Sequence, residues 1–170
     1  MNRMVYVWAC RVALAAALAG CGGSPAATPA APTTPVAPAD PGMSPVVSAD
    51  ILAREPLSNT ATVKHILISW QDLGEAFQGR LDPRAVKRTK ADAEALVRTL
   101  VKQLQDGADF DAVMRTNSED QGSANSGKAF TVTPDAQLVI EFRQLGTRLR
   151  VGEIGVIQSD FGFHIIKRIT

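Results

Sequence analysis

The chain has 170 residues, a formal net charge of +1 at pH 7 and 45% hydrophobic residues. This length suits one domain of ordinary size. The near-neutral charge argues against a dominant polyanion-binding role, so we expect no nucleic-acid partner. The composition changes along the chain, from an apolar leader through a proline-rich segment to a longer part of mixed composition.

Residues 1–20 have the pattern of a secretory signal peptide. Basic residues at Arg3 and Arg11 precede the alanine-rich stretch Val12–Leu18, which is short for a membrane-spanning helix. The letters LAGC then resemble the lipobox of bacterial lipoproteins, in which the cysteine is diacylated and becomes the first residue after cleavage. The resemblance makes Cys21 the lipidation site. The alternative is an ordinary signal peptide with a chance cysteine.

Two consequences follow from a lipid at Cys21. Cys10 would leave with the leader, so the mature chain would hold one cysteine and no internal disulfide. Two or three acyl chains anchor a protein stably. We therefore expect an extracytoplasmic protein of the cell envelope, on the outer membrane if the source is Gram-negative.

Residues 21–59 are expected to form a tether. Up to about Ala49 the segment is rich in proline, alanine and threonine and shows no apolar periodicity. Prolines bias the backbone toward extended polyproline II, at about 3.1 Å per residue, which makes a semi-rigid spacer. Ile51–Ser58 carries no clear structural signal. The tether would hold the following domain away from the bilayer.

Residues 60–170 are expected to form one compact domain that begins with a strand. In TATVKHILISW, residues Val63, His65 and Leu67 alternate with Ile66 and Ile68. This pattern predicts a strand whose two faces are both buried.

Helix caps stand at three later positions. Thr89, with Asp92 at the capping-box position, predicts a helix that ends at Gly107, and Asp109 predicts the start of a second, short helix. Thr133–Pro134 predicts the start of a third helix. The expected apolar stripes of these helices are Leu96, Val97, Leu100, Val101 and Leu104, then Phe110, Val113 and Met114, then Leu138, Phe142 and Leu145.

Two strands are expected to close the chain. VIQS and FHIIKRI flank a hairpin turn at Asp160–Gly162. The sequence leaves open a further short strand before the third helix. The order of elements predicts an α+β fold, with one antiparallel or mixed sheet of about four strands covered by three to four helices.

Four blocks of this domain resemble the signature blocks of the parvulin-type peptidyl-prolyl cis/trans isomerases, or rotamases. They are VKHILI, GADFDAVMRTNSED, LRVGEIG and SDFGFHIIKR, and they stand in the family's order across about Val63–Ile169. One block alone would be weak evidence, whereas four collinear blocks with both family histidines are strong evidence. The resemblance implies a parvulin-like, FKBP-like fold.

The resemblance also implies site residues. His65 and His164 match the family's two histidines, which face each other from central strands. The family's third polar residue matches Asp120, and its serine or threonine before the second histidine matches Ser159. The implied proline pocket comprises Leu138, Phe142 and Phe130.

The chemistry of such a site involves no covalent bond. Rotation about an imide bond has a barrier of about 18–20 kcal/mol because resonance gives the C–N bond partial double-bond character. A catalyst can therefore work by binding the twisted imide better than either planar isomer. An apolar slot would hold the proline ring, and the resemblance implies neither a cofactor nor a metal. We expect the histidines to tune the site rather than to attack the substrate.

Several alternatives remain open on the sequence. His65, His164 and Asp120 have side chains that suit several divalent metals, although no short-range ligand pair is present. The domain can instead be a peptide-binding module without useful catalysis, or a tethered adaptor of an envelope complex. The first of these is favoured by the stretch after Asp120, where only Gly127 keeps the family's glycine pattern and either Ala129 or Phe130 replaces a leucine.

A basic cluster follows the first strand. Some parvulins bind a phosphate or an acidic residue at this place, whereas the more ordinary interpretation is a solvated loop. The expected partners are proline-containing unfolded or secreted polypeptides and, through Cys21, the membrane, and we expect a monomer. The cluster comprises Arg80, Arg84, Lys87, Arg88 and Lys90.

Overall fold

The computed structural model describes residues 43–170. Its sheet has four strands in the order β2-β1-β4-β3, and every neighbouring pair is antiparallel. The strands are β1 (Ala61–Ile68), β2 (Phe130–Val132), β3 (Ile154–Ser159) and β4 (Gly162–Arg168). The helices are α1 (Ala49–Leu52), α2 (Pro83–Val86), α3 (Lys90–Gln105), α4 (Phe110–Asn117), α5 (Gln121–Ser126) and α6 (Ile140–Arg148), with a 3₁₀ turn at Gln71–Leu73.

The two faces of β1 enter two separate cores, as the alternation in its sequence predicts. Ile66 and Ile68 join the core under α3 and α4, and both side chains are fully buried. Val63 joins the core on the other face, together with Phe142 and Leu145 of α6. The sheet is thus a middle layer, and the polar side chain of His65 on β1 is withdrawn from water.

The first two predicted helix starts are confirmed. The Thr89 hydroxyl accepts the backbone N–H of Asp92, and the Asp92 carboxylate accepts the backbone N–H of Thr89. Asp109 caps α4 by accepting the backbone N–H of Ala112. These bonds satisfy N–H groups that have no partner within the first turn of a helix.

The third helix does not start at Thr133–Pro134, as predicted. It starts at Ile140, because the Thr133 hydroxyl donates to the Asp135 carboxylate instead of capping a backbone N–H, and residues 133–139 form turns. Leu138 therefore precedes α6 and does not share a helix with Phe142. The predicted helical spacing of these two pocket residues is wrong.

The segment after Asp120 holds elements that its sequence signals poorly. Asp120 is the N-cap of α5, a helix that was not predicted. Gly127 ends α5 with φ of 67°, a left-handed conformation that glycine adopts at low cost. The chain then forms β2, the short strand considered from the sequence, which starts at Phe130 and pairs with β1.

The described chain is packed against the domain well before residue 60. Ser48 donates its backbone N–H to Val156 O and accepts the Val156 N–H on its hydroxyl, so it covers the open edge of β3. Val46 packs against one core and the buried Ile51 joins the other. These contacts extend the domain toward Ser44, beyond the start at residue 60 expected from sequence, because Pro45 and Ser48 give no apolar periodicity.

The predicted leader at residues 1–20, the lipidation site Cys21 and the first part of the tether lie outside the described residues. Within residues 43–170, no helix is long and apolar enough to cross a membrane.

Candidate active site

The two histidines meet because β1 and β4 are neighbours in the sheet. In the antiparallel register, His65 pairs with Ile166 and His164 pairs with Leu67, which places the histidines two positions apart on one face. Their Nδ1 atoms are 3.1 Å apart and their rings lie nearly parallel, with 15° between the planes. Both residues are 5% exposed. The predicted facing of the histidines is thus present in the structure.

A chain of hydrogen bonds runs through the pair from one rim of the site to the other. The Asp120 carboxylate lies 2.9 Å from His65 Nε2, and the Ser159 hydroxyl lies 2.8 Å from His164 Nε2. The carboxylate can only accept, so a neutral His65 donates from Nε2 and accepts on Nδ1. His164 then donates from Nδ1 and accepts the Ser159 proton on Nε2. When both imidazoles are neutral, this arrangement satisfies every ring nitrogen.

The protonation states follow from this burial and bonding. Burial, with repulsion from His65, lowers the pKa of His164 from 6.5 to about 3. The hydrogen bond from His65 and those from Ser123 hold the pKa of Asp120 well below its usual range, against the opposing effect of burial. At neutral pH the site thus combines a neutral His164 with a carboxylate whose side chain is 30% exposed.

Two phenylalanine rings form an apolar wall against the histidines. Phe130 and Phe142 contact His65 edge-on, with ring centroids 5.1 Å and 5.3 Å from its imidazole, and lie 5.9 Å from each other. Phe142 is buried, whereas Phe130 is half-buried. Leu138 is also half-buried and packs against the same core from its turn before α6. Phe130, rather than Ala129, therefore supplies the wall at this point.

The β3–β4 turn is held firmly against β1. The Ser69 hydroxyl donates to Phe161 O, and the Ser159 hydroxyl accepts the Phe161 N–H. Gly162 has φ of 132°, and a Cβ at this position would lie 2.5 Å from Ile68 O. The turn thus approaches β1 so closely that only glycine fits, which orients Ser159 toward His164.

Most side chains of the basic cluster contact other groups of the protein itself. Arg84 donates to the carbonyl oxygens of Thr116, Asn117 and Ser118, at the end of α4. Arg88 donates to Ser69 O and to the buried Glu119 carboxylate. Lys90 lies over the Trp70 ring, and Arg80 and Lys87 are exposed. Arg84 and Arg88 therefore stabilise the fold.

Two features of this region were missed by the sequence analysis. The buried ion pair of Glu119 with Arg88 joins residues 31 positions apart. The Ser123 hydroxyl donates to Asp120 Oδ2 at 2.7 Å. Asp is a preferred N-cap residue, so Asp120 itself was a local signal for a helix start three residues before Ser123.

Within residues 43–170, no group of three or more His, Cys, Asp or Glu side chains has an arrangement that would hold a metal ion.

A comparison with family models gives one match over most of the chain. The model described as "PPIC-type PPIASE domain" matches residues 50–169. That range contains every residue of the hydrogen-bonded chain and of the apolar wall.

Curated relatives match part of their own length. The chain is 39% identical over 82 residues to "Chaperone SurA" of Pseudomonas aeruginosa, covering 47% of this chain and 19% of that protein. It is 25% identical over 122 residues to "Foldase protein PrsA" of Geobacillus kaustophilus, covering 71% and 43%. This chain therefore spans less than half of either relative.

Solved structures share the fold. "Solution structure of the TbPIN1" matches with a TM-score of 0.56 and 22% identity, covering 67% of this chain and 100% of that one. The peptidyl-prolyl isomerase ESS1 from Candida albicans matches with a TM-score of 0.54 and 20% identity, covering 66% and 63%. These likenesses confirm the predicted fold class.

Proposed function

Because this chain belongs to the PPIC-type peptidyl-prolyl isomerase family, the parvulins, we propose that it catalyses cis/trans isomerisation of Xaa-Pro bonds. One observation supports this proposal most directly: His65 of the buried histidine pair is contacted both by the Asp120 carboxylate and by the apolar wall of Phe130 and Phe142. The apolar wall suits a proline ring, and the carboxylate suits the carbonyl group before proline, which rotates about the imide bond.

The proposed mechanism is electrostatic and non-covalent. In the planar imide, resonance places negative charge on the carbonyl oxygen, and twisting the C–N bond reduces that charge. An anionic Asp120 near this oxygen disfavours the planar isomers more than the twisted one, which lowers the barrier. Phe130, Phe142 and Leu138 would hold the pyrrolidine ring while the preceding carbonyl rotates.

In this mechanism, the other polar residues keep the carboxylate charged and oriented. His65 donates to Asp120, His164 donates to His65, and Ser159 donates to His164. A buried network of this kind is costly unless each member has a partner, and here each ring nitrogen has one. The histidines thus act as hydrogen-bonding groups and not as nucleophiles.

The proposed clients are proline-containing unfolded or secreted polypeptides. The names of the relatives, a chaperone and a foldase, support a role in protein folding. The lipobox-like LAGC sequence supports a lipid anchor at Cys21 and a place on the extracytoplasmic side of the cell envelope. Labelling with an alkyne fatty acid tests the anchor, since Cys21→Ser should abolish incorporation.

Exchange NMR on Xaa-Pro tetrapeptides tests the activity. We expect full-length protein in detergent to accelerate cis/trans exchange, and Asp120→Ala to remove most of the acceleration. Asp106→Ala, an exposed carboxylate paired with Lys102 on α3, is the matched control and should behave as wild type. Folded wild-type protein that leaves exchange unchanged at micromolar concentration would contradict the proposal. Peptide binding without acceleration would instead indicate a peptide-binding module.

A further inference from the structure

Ser123 lies against the carboxylate at the end of the histidine chain. Its hydroxyl is 2.7 Å from Asp120 Oδ2 and 3.3 Å from His65 Nε2, and the residue is 3% exposed. The distance from His65 Nε2 to the same Oδ2 is 2.9 Å. The Ser123 hydroxyl and the His65 N–H therefore converge on one oxygen of Asp120.

The position of Ser123 follows from helix capping. Asp120 is the N-cap of α5, and its other oxygen, Oδ1, accepts the backbone N–H groups of Gly122 and Ser123. With Oδ1 used by the helix, Oδ2 faces His65 and takes the serine hydroxyl as its second donor. The carboxylate thus has donors on both oxygens, and each of them favours the charged form.

We propose that Ser123 is a positioning residue of the isomerase site, whose hydroxyl holds Asp120 in the ionised state and in line with His65. The inference rests on the proposed function for its catalytic consequence, but its structural part does not depend on that function. An ionised, oriented Asp120 accepts from His65 Nε2 and so selects the tautomer that the whole chain requires. Ser123 thereby acts on the substrate only through Asp120.

Few titratable groups lie around Asp120 besides the two histidines. His65 of β1 faces the carboxylate, and His164 of β4 lies behind His65. Glu119, the preceding residue, is turned into its pair with Arg88. Near the start of α5, Asp82 accepts from Gln121 and is paired with Arg84. Phe130 and Phe142, which contact His65, carry no charge. No arginine or lysine in the described residues forms an ion pair with Asp120.

The test compares Ser123→Ala with Ser126→Ala in full-length protein. Both remove a serine hydroxyl from α5, but Ser126 donates to Gly122 O and does not contact Asp120. For Ser123→Ala we expect kcat/KM to fall about tenfold, the size of one hydrogen bond to a charged group, with peptide Kd unchanged. The acid limb of the pH–rate profile should move to higher pH. Ser126→Ala should match wild type, and Ser123→Thr should restore most of the activity.

Histidine nitrogen NMR provides a readout that a merely structural role would not move. In wild type, His65 should carry its proton on Nε2, and Ser123→Ala should give a mixture of tautomers. The proposal would be overturned if Ser123→Ala leaves the tautomer signals and the acid limb unchanged and keeps kcat/KM within about twofold of wild type. If Ser123→Ala fails to fold, a wild-type His65 protonated on Nδ1 overturns it equally. If the wild type shows no isomerase activity, the proposed function fails while the tautomer measurement still tests Ser123.

Discussion

His65 and His164 share a hydrogen bond between their Nδ1 atoms, 3.1 Å apart, although 99 residues separate them in the chain. Only one of these two atoms can carry the bridging proton, so protonation of both imidazoles would set two N–H groups against each other. The pair is therefore a buried element that requires at least one neutral ring. The stability of the folded protein should therefore depend on pH up to about 6.5, which lies above the range in which carboxylates titrate.

We expect the free energy of unfolding to decrease as the pH falls below about 6.5. The pKa of His164 is lowered to about 3 in the folded protein, from 6.5. Between these values the unfolded chain binds a proton that the folded chain does not bind, so stability falls on acidification, by at most about 1.4 kcal/mol per pH unit. Asp120, whose folded pKa is lowered, contributes stability that is lost only as the pH falls below its ordinary pKa of 3.8.

Urea denaturation between pH 7 and pH 4.5 checks this dependence. His164→Gln should be less stable than wild type but should lose most of the slope in this range. Lys167→Gln, on the same strand, is the control and should keep the slope. A slope that is the same in wild type and His164→Gln would contradict the prediction.

Glu119→Ala should destabilise the protein by about 3 kcal/mol. Its carboxylate is 1% exposed and accepts from Arg88 and from the backbone N–H of Ser69, so its removal leaves a half-buried guanidinium without its anion. The exposed pair of Lys102 with Asp106 is a matched comparison, since Asp106→Ala should cost under about 1 kcal/mol. Chemical denaturation of both variants measures the difference, and equal losses would refute it.

Gly162→Ala should cost at least about 2 kcal/mol and displace the β3–β4 turn. The added Cβ would meet Ile68 O at 2.5 Å and would also force alanine to adopt φ of 132°. Gly79 also has a positive φ, of 76°, but a Cβ there meets nothing within 4 Å, so Gly79→Ala should cost about 1 kcal/mol. Thermal unfolding ranks the two variants. Isomerase activity should fall only in Gly162→Ala, because the turn carries Ser159.

The proposed isomerase activity should show little preference for a negative charge before proline. Arg84 is exposed but, like Arg88, donates to groups of the protein itself, and Arg80 and Lys87 are the other exposed cations of the cluster. An exposed ion pair contributes at most about 1 kcal/mol, or about fivefold in kcat/KM. Exchange rates on Leu-Pro, Glu-Pro and phosphoserine-Pro peptides measure the preference. A preference for phosphoserine far above fivefold that Arg80→Ala removes would contradict this expectation.

The elements with local signals were predictable from sequence, and the others were not. The capping box at Thr89 and the cap at Asp109 act within one helical turn, so their residues carry the whole signal. At Thr133–Pro134 the same kind of signal was misleading, because the Thr133 hydroxyl bonds to the Asp135 carboxylate. Threonine followed by proline suits a turn as well as a helix start, and only packing distinguishes the two.

The sequence by itself determined the two-faced strand β1, the order of the main elements and the resemblance that pairs His65 with His164. These depend on side-chain alternation and on motifs, which are properties of neighbouring residues. The tertiary structure alone decided that Ser123 shares Asp120 with His65, that Arg84 and Arg88 bond inside the protein, and that residues 44–52 cover the edge of β3. Most of these contacts join residues far apart in the chain, such as His65 and Asp120, so folding of the whole domain is required to bring them together.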